Sequence, residues 1–242
     1  SAAASGSGVV YRTLDEIKAS GTINIGVFSD KNPFGYVDEN GEYQGYDIYF
    51  ANRLAENLGV KVNYVSTEAA NRIEYLQTGK ADVILANFTV TPERAEEVDF
   101  ALPYMNVALG VISPDSNVIT TLDNWNADDQ MIVISGTTAE TYCLDNGYEI
   151  LSFASNIDAQ AALTSGKADA WVVDNEVAVK MAGEQNLTVL DEAMTSEPYA
   201  LAFAKGSDLV DQVNQALSQL LQDGTVEQIF QEYDTVYVSP LS

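Results

Sequence analysis

The sequence contains no histidine and a single cysteine, Cys143, and both shortages restrict its chemistry. Without histidine or several cysteines, the usual nucleophile–base pairs and the common zinc sites are excluded. One cysteine cannot form an internal disulfide, and its setting in Glu140-Thr141-Tyr142-Cys143-Leu144 predicts a buried position on a helix.

Positive charge is also scarce. The 11 lysines and arginines face 36 aspartates and glutamates, which gives a formal net charge of −25. Such a chain repels nucleic acids and anionic membrane surfaces, so we expect no nucleic-acid partner, and we interpret most of the carboxylates as solvated surface. The sequence also lacks a run of about 18 apolar residues, the length that a membrane-spanning helix requires.

The composition is otherwise globular, with 46% hydrophobic residues over 242 positions, which is enough for one large domain or two smaller ones. Residues 1–11 begin with the small residues Ser1 to Gly8, and this segment is predicted to be a flexible linker. Such a start suits an anchored domain whose export signal has been removed, so we expect an extracytoplasmic protein, either lipid-anchored on the cell surface or periplasmic.

Helix and strand patterns alternate twice along the chain. Between Thr22 and Ala86 the order is β-α-β-α-β, and a smaller copy of this order runs from Met131 to Gln185. The alternation predicts an α/β fold with two lobes, each built on a mainly parallel sheet covered by helices. The residues repeat as well, since Leu76 to Val83 is echoed by Leu163 to Ala170.

Two apolar segments flank the second unit, Val107 to Ser113 and Tyr199 to Ala204, and we interpret them as two crossovers between the lobes. Paired crossovers form a hinge that permits closure around a ligand. The predicted division is a linker at 1–11, lobe 1 at 12–110 and 205–242, and lobe 2 at 111–204.

The candidate site lies where two matching strands end. Counted from Ala81 and Ala168, Asn87 and Asp174 take equivalent places, and ligands of open α/β sheets bind beyond the carboxyl ends of the strands. Asp174 is a candidate partner for an ammonium group. Because Asp174 also precedes a helical run, a helix N-cap is an equally good interpretation.

Arg94, one of four arginines, follows Thr91 as a possible helix N-cap and Pro92 as a first helical residue. A cation in the first turn opposes the helix dipole, so another interaction must favour it. A bidentate grip on a ligand carboxylate is one explanation. The alternative is a salt bridge to a nearby acid, namely Glu93, Glu97 or Asp99.

Lobe 2 offers Gly136 and Thr138 at the start of a helix that opens near Ala139, where free backbone N–H groups bind anions, although a simple cap is the commoner use of such a turn. Arg94, Thr89 and Thr138 would then surround a carboxylate, while Asp174 and the Asn87 carbonyl would surround an ammonium. These groups match a zwitterionic α-amino acid, with no cofactor and no metal.

Several motifs together resemble those of bacterial extracellular solute-binding proteins of family 3, the polar amino-acid receptors of ABC importers. They are Ile25-Gly26-Val27, Asn32 to Tyr36, Gly45-Tyr46-Asp47, Ala86 to Arg94, Asp99 to Tyr104, Gly136 to Ala139 and Asp169 to Asp174. The resemblance implies a type II periplasmic-binding-protein fold, two α/β lobes joined by a two-segment hinge. It also implies an amino-acid ligand, a membrane permease as partner, and a monomer.

By the same resemblance, the family's α-carboxylate arginine corresponds to Arg94 and its ammonium-binding aspartate to Asp174. Thr89 and Thr138 match the family's hydroxyl and backbone contacts. The chain looks most similar to the cystine/cysteine-binding and aspartate/glutamate-binding branches. It has Ala69 where glutamine-binding members carry an aromatic residue that sandwiches the ligand.

Arg72 is predicted either to reach a ligand side chain or to form a salt bridge with Glu68 or Glu74. Four aromatic residues are candidate pocket walls, although plain core positions are the commoner use of such residues. They are Phe28, Phe34, Tyr36 and Phe88.

Two other functions share this fold. One is a cyclohexadienyl dehydratase-like enzyme in which a carboxylate such as Glu140 acts as general acid. The other is the ligand-binding domain of a signalling receptor. We expect a binding protein rather than an enzyme.

Overall fold

The computed structural model describes residues 3–4, 8–114, 129–184, 187–189 and 197–232. Within the predicted linker, β1 (Ala3–Ala4) pairs antiparallel with β2 (Val10–Tyr11), and residues 1–2 and 5–7 lie outside the described ranges. The last ten residues of the predicted lobe 1 lie outside them too.

Lobe 1 is built on a five-stranded mixed sheet. In sheet order its strands are β7 (Lys61–Ser66), β3 (Thr22–Val27), β8 (Val83–Ile84), β17 (Ala202–Ala204) and β9 (Val98–Phe100). The first three run parallel, and β17 is antiparallel to both of its neighbours. A small sheet of β4 (Asp30–Lys31), β5 (Gly35–Val37) and β6 (Tyr43–Gln44) extends this lobe.

Six helices accompany this sheet among the described residues: α1 (Leu14–Ser20), α2 (Tyr46–Leu58), α3 (Arg72–Gln77), α4 (Pro92–Glu97), α8 (Leu209–Gln222) and α9 (Thr225–Glu232). The first of them begins as its sequence indicates, because the Thr13 side chain accepts a hydrogen bond from the Glu16 N–H. A short 3₁₀ turn, Ala69–Asn71, leads into α3.

Lobe 2 repeats this plan. Its strands, in sheet order, are β13 (Ile150–Phe153), β12 (Met131–Ile134), β14 (Ala170–Asp174), β11 (Leu109–Pro114) and β15 (Leu187–Val189). Again three strands are parallel and the fourth is antiparallel. The helices are α5 (Thr138–Asp145), α6 (Asn156–Thr164) and α7 (Asn175–Glu184), and Cys143 is buried on α5 as predicted.

Two short strands cross between the lobes and pair antiparallel, β10 (Met105–Val107) with β16 (Glu197–Tyr199). The crossovers therefore lie slightly earlier in the chain than the apolar segments suggested. Residues 109–110 already belong to the sheet of lobe 2, and Ala202–Ala204 belongs to the sheet of lobe 1. Apolar patterning could not separate crossover from sheet strand, since both are buried.

The internal repeat has a structural explanation. Asp82 accepts a hydrogen bond from the Asn24 N–H at 2.7 Å, and the Asp82 N–H donates to the Asn24 carbonyl at 2.8 Å. Asp169 is bonded to Gln130 in the same two ways, at 2.8 and 3.1 Å. Each aspartate thus fixes the start of its strand to the strand beside it, and this fixes where Asn87 and Asp174 emerge.

One large apolar cluster fills lobe 1 and continues onto lobe 2, and a smaller one lies between the sheet of lobe 2 and α5. Within the described ranges, no helix is both long enough and apolar enough to cross a membrane.

Candidate functional site

A cavity lies between the lobes, beyond the carboxyl ends of β8 and β14. Its walls are formed by Phe28, Lys31, Ala69, Arg72, Asn87, Thr89, Arg94, Leu109, Ile134, Thr137, Thr138, Ala139, Asn156, Val172, Val173 and Asp174. The volume open to the centre of a water molecule is about 20 Å³, and about 10–15 Å³ is the least that holds one water. Anything much larger enters only if the lobes part or the side chains move.

Arg94 is positioned by the helix start that the sequence predicted. Thr91 is the N-cap of α4, its hydroxyl accepts from the Arg94 N–H at 3.2 Å, and Pro92 is the first helical residue. The guanidinium turns back from the helix and donates to the carbonyls of Thr89 at 2.8 Å and Gly136 at 2.9 Å. It therefore spans the two lobes at the cavity.

Arg72 is almost fully buried, at 2% exposure, and forms neither of the predicted salt bridges to Glu68 or Glu74. Its guanidinium instead donates to four backbone carbonyls, those of Ala69, Ala86, Asn87 and Gly136, at 2.9 to 3.0 Å. The salt-bridge expectation was wrong because the side chain turns inward toward the end of β8, whereas helical spacing places those acids on the outside.

The ring of Phe88 packs against the guanidinium groups of both arginines. The guanidinium carbons of Arg72 and Arg94 lie 4.4 and 4.5 Å from the centroid of its ring. Burial, and then the neighbouring charge of Arg94, lower the pKa of Arg72 well below its usual range. The shift follows mainly from the loss of solvent around the guanidinium, and an anion bound beside it would favour the charged form.

Asp174 ends β14 and is buried, at 8% exposure. Its Oδ2 accepts a hydrogen bond from the ammonium group of Lys31 in lobe 1. Lys31 is buried, at 5% exposure, and the sequence analysis did not identify it as a site residue. The ammonium also lies 4.9 Å from the ring centroid of Phe28 and 5.9 Å from that of Phe34. An ammonium group thus does meet Asp174, but it belongs to the protein itself.

Asn87 adopts φ +47°, the left-handed region that asparagine tolerates better than most residues. The predicted acceptor, its carbonyl, receives the Arg72 guanidinium. Both polar atoms of the buried side chain lack a hydrogen-bond partner among the described residues. Thr89, 3% exposed, lies beside it in the cavity wall. These two residues offer a ligand an amide and a hydroxyl.

The turn at Gly136 and Thr137 in lobe 2 caps α5, which is one of the two uses that the sequence suggested for it. Thr137 is the N-cap of α5, and the Gly136 N–H donates to Glu140 Oε1 at 3.2 Å, so this N–H is already paired. The N–H groups of Thr138 and Ala139, in the first turn of the helix, are ones that no helical carbonyl accepts. Both residues line the cavity, so their N–H groups are candidate backbone donors to a ligand.

The predicted aromatic walls divide into two groups. Phe28 lines the cavity, and Phe88 lies beneath its two arginines. Phe34 is fully buried and packs edge-on against Tyr46 and Tyr199, so it belongs to the core behind the site. Tyr36 lies half-buried on β5 and is absent from the cavity wall.

A second interlobe contact was also missed. Asp30 of lobe 1 accepts hydrogen bonds from the backbone N–H groups of Asn156 and Ile157, at 2.8 and 3.2 Å, and from the Asn156 side chain at 3.1 Å. It therefore caps the N-terminus of α6 from the opposite lobe. The adjacent pair Asp30-Lys31 was the only sequence signal, and its partners are more than a hundred positions away.

Among the described residues, no group of three or more histidine, cysteine, aspartate or glutamate side chains is arranged to hold a metal ion.

Two α/β lobes closed over a buried set of opposite charges define a two-lobed protein that binds a small charged ligand. The sequence profile of the bacterial extracellular solute-binding proteins, family 3, matches residues 23–235, and the chain belongs to that family.

The relatives are amino-acid-binding proteins. The chain is 30% identical to the ABC transporter glutamine-binding protein GlnH of Bacillus subtilis (strain 168), over 91% of this chain and 84% of that protein. It is 26% identical to the L-cystine-binding protein TcyJ of Escherichia coli (strain K12), over 91% and 85%. The solved structure of a solute receptor for L-cysteine of Neisseria gonorrhoeae superimposes with a TM-score of 0.87 at 43% identity, covering 91% and 93%.

Proposed function

We propose that the chain is the extracytoplasmic substrate-binding receptor of an amino-acid ABC importer, and that it binds a polar amino acid of the cystine/cysteine or aspartate/glutamate class. The observation that carries the proposal is the presence of two guanidinium groups and one buried carboxylate in the wall of the same interlobe cavity. Arg94 would hold the α-carboxylate and Asp174 the ammonium, and closure of the lobes would follow from contacts to both ends of the ligand.

The similarity to cystine- and cysteine-binding proteins supports the ligand class. It also supports a membrane permease as the partner that accepts the ligand. We further propose a monomer held at the cell surface by a lipid anchor or free in the periplasm, and the division into a linker and two lobes with the hinge strands between them.

Glu140 is the residue on which a dehydratase-like reaction would depend. Its Oε1 accepts the Gly136 N–H and its Oε2 accepts the Ser152 hydroxyl at 2.8 Å, so its carboxylate is committed to fixing the start of α5. This supports binding over catalysis. Turnover of prephenate or arogenate by the purified protein would contradict our interpretation.

The test is calorimetric titration of protein freed of carried-over ligand, against the common amino acids and cystine. Arg94→Ala and Asp174→Ala should each abolish binding, because each leaves a buried ligand charge unpaired, while far-ultraviolet circular dichroism stays unchanged. Arg53→Ala is the matched control, since Arg53 lies on α2, forms an ion pair with Glu56 and is not part of the cavity wall. Unchanged affinity in either site variant would refute the assigned pose.

A further inference from the structure

The charges that face the cavity do not balance. Among the described residues of its wall, three side chains are cationic, those of Lys31, Arg72 and Arg94, and one, that of Asp174, is anionic. Because Lys31, Arg72 and Asp174 are each at least nine-tenths buried, solvent screens this surplus poorly. A zwitterionic amino acid brings equal charges of both signs, so it leaves the surplus of two positive charges unchanged.

Two buried or half-buried carboxyl groups near the cavity, those of Asp47 and Glu176, offset little of this surplus. Asp47 lies fully buried behind Lys31, and no hydrogen bond reaches its carboxyl oxygens among the described residues. Burial raises the pKa of Asp47 well above its usual range, against the opposing charge of Lys31. Glu176 follows Asp174, and burial, then Asp174, raise its pKa to about 7. Asp47 therefore favours its neutral form in the closed protein, and Glu176 is about half neutral at pH 7.

We propose that Lys31 is a specificity-determining residue, which selects amino acids whose side chain is bound as an anion, either a carboxylate or the thiolate of cysteine. The proposal rests on the proposed function and names the ligand more narrowly. Lys31 contacts one oxygen of Asp174, Oδ2. In the proposed pose the ligand ammonium approaches the other oxygen, and the ligand side chain lies against the lysine ammonium. A cationic side chain would raise the surplus to three and is selected against.

Cysteine enters this class by losing a proton. The thiol is mostly protonated in water at neutral pH, and lysine and arginine neighbours lower thiol pKa values. On binding, the S–H bond breaks, the electron pair stays on sulfur, and the proton passes to the buffer. Neither an oxidant nor a reductant is required.

The first experiment compares ligands of the same shape and different charge by calorimetry: glutamate with glutamine, aspartate with asparagine, and cysteine with serine. Wild-type protein should bind the acidic member of the recognised pair at least about tenfold more tightly. Lys31→Met should reduce this ratio to about threefold or less, and Lys31→Arg should restore it. Lys167→Met, at an exposed lysine of lobe 2, is the control and should leave the ratio unchanged.

The second experiment separates the two kinds of anion. Titration in two buffers of different ionisation enthalpy counts the protons released. At pH 7, about one proton more should leave per cysteine bound than per S-methylcysteine, glutamate or aspartate bound. Because S-methylcysteine fills the same site, protons exchanged by Glu176 or Asp47 cancel in the comparison. Cys143 is silent, since burial raises its pKa to about 12.

Three results would overturn the inference: a neutral amino acid such as glutamine bound most tightly, an acid preference that survives in Lys31→Met, or cysteine bound with no more proton release than S-methylcysteine and no preference for acidic ligands. In each of these cases the receptor function still stands. If no amino acid binds to wild-type protein, the proposed function and the inference fail together.

Discussion

Arg94 of lobe 1 donates its Nη2 to the carbonyl of Gly136 in lobe 2 at 2.9 Å, so the residue assigned to the ligand also holds the lobes together. Gly136 has φ +82°, and a Cβ added there would lie 2.8 Å from the Ala70 Cα of the opposite lobe. The closest approach of the two lobes therefore depends on the absence of a side chain at this position.

Gly136→Ala should weaken ligand binding by about tenfold or more, because the added methyl group obstructs closure. Calorimetry gives the affinity. A thermal melt without ligand gives the loss of stability that a side chain at positive φ causes. Gly166→Ala is the matched control, with φ +75° and nothing within 4 Å of an added Cβ. Equal loss of affinity in both variants would show that backbone strain, not lobe contact, is responsible.

Asp30→Ala should shift the ligand-free protein toward an open form and lower affinity by about fivefold to tenfold, since α6 loses the acceptor that caps it only in the closed state. Small-angle scattering reports the opening as a larger radius of gyration. Asp158→Ala removes an exposed acid from the same turn of α6 and serves as control. A radius that stays the same in Asp30→Ala would contradict the role in closure.

Asp82→Ala should destabilise the protein by about 3 kcal/mol and leave ligand affinity unchanged in the folded fraction. Asp82 is 4% exposed and accepts hydrogen bonds from both the Arg12 guanidinium and the Asn24 N–H. Its removal takes this acceptor away from both donors. Denaturant unfolding measures the loss. Asp169→Ala, at the equivalent but less buried position of lobe 2, should cost less. The reverse order would contradict our account of the repeat.

Glu176 should contribute to the pH dependence of stability. Burial, and then the charge of Asp174, raise the pKa of its carboxyl group to about 7. In the unfolded chain the pKa of this carboxyl group is about 4.3. Between this value and the native pKa, the native state binds more protons than the unfolded state. Stability therefore falls as pH rises from about 4.5 to 7 and is level above. The amplitude stays below about 1.4 kcal/mol per pKa unit, because Glu176 is only half-buried.

Melting temperatures of wild type and Glu176→Gln, measured from pH 5 to 8, isolate this contribution. The general repulsion of an acidic surface acts on both proteins and cancels in the difference. The two curves should converge at low pH and separate as pH rises, with the variant more stable at pH 8. Parallel curves would show that Glu176 does not titrate as described.

The sequence predicted the parts of the site that depend on local chemistry. Thr91 and Pro92 specify the helix start that aims Arg94, and the internal repeat places Asn87 and Asp174 at equivalent strand ends. Lys31 could not be found this way, because its partner is 143 positions distant and meets it only across the closed cleft. Periodicity likewise could not tell that Phe34 packs behind the site while Phe28 faces it.

The strand exchange between the lobes has a consequence for biosynthesis. Ala202–Ala204 lies between β8 and β9, so the first sheet to be synthesised cannot be completed until most of the chain has left the ribosome. A nascent chain that waits this long for an interior strand forms its long-range pairs late. The sheet of lobe 1 therefore stays incomplete for longer than a sheet whose strands pair in the order of synthesis.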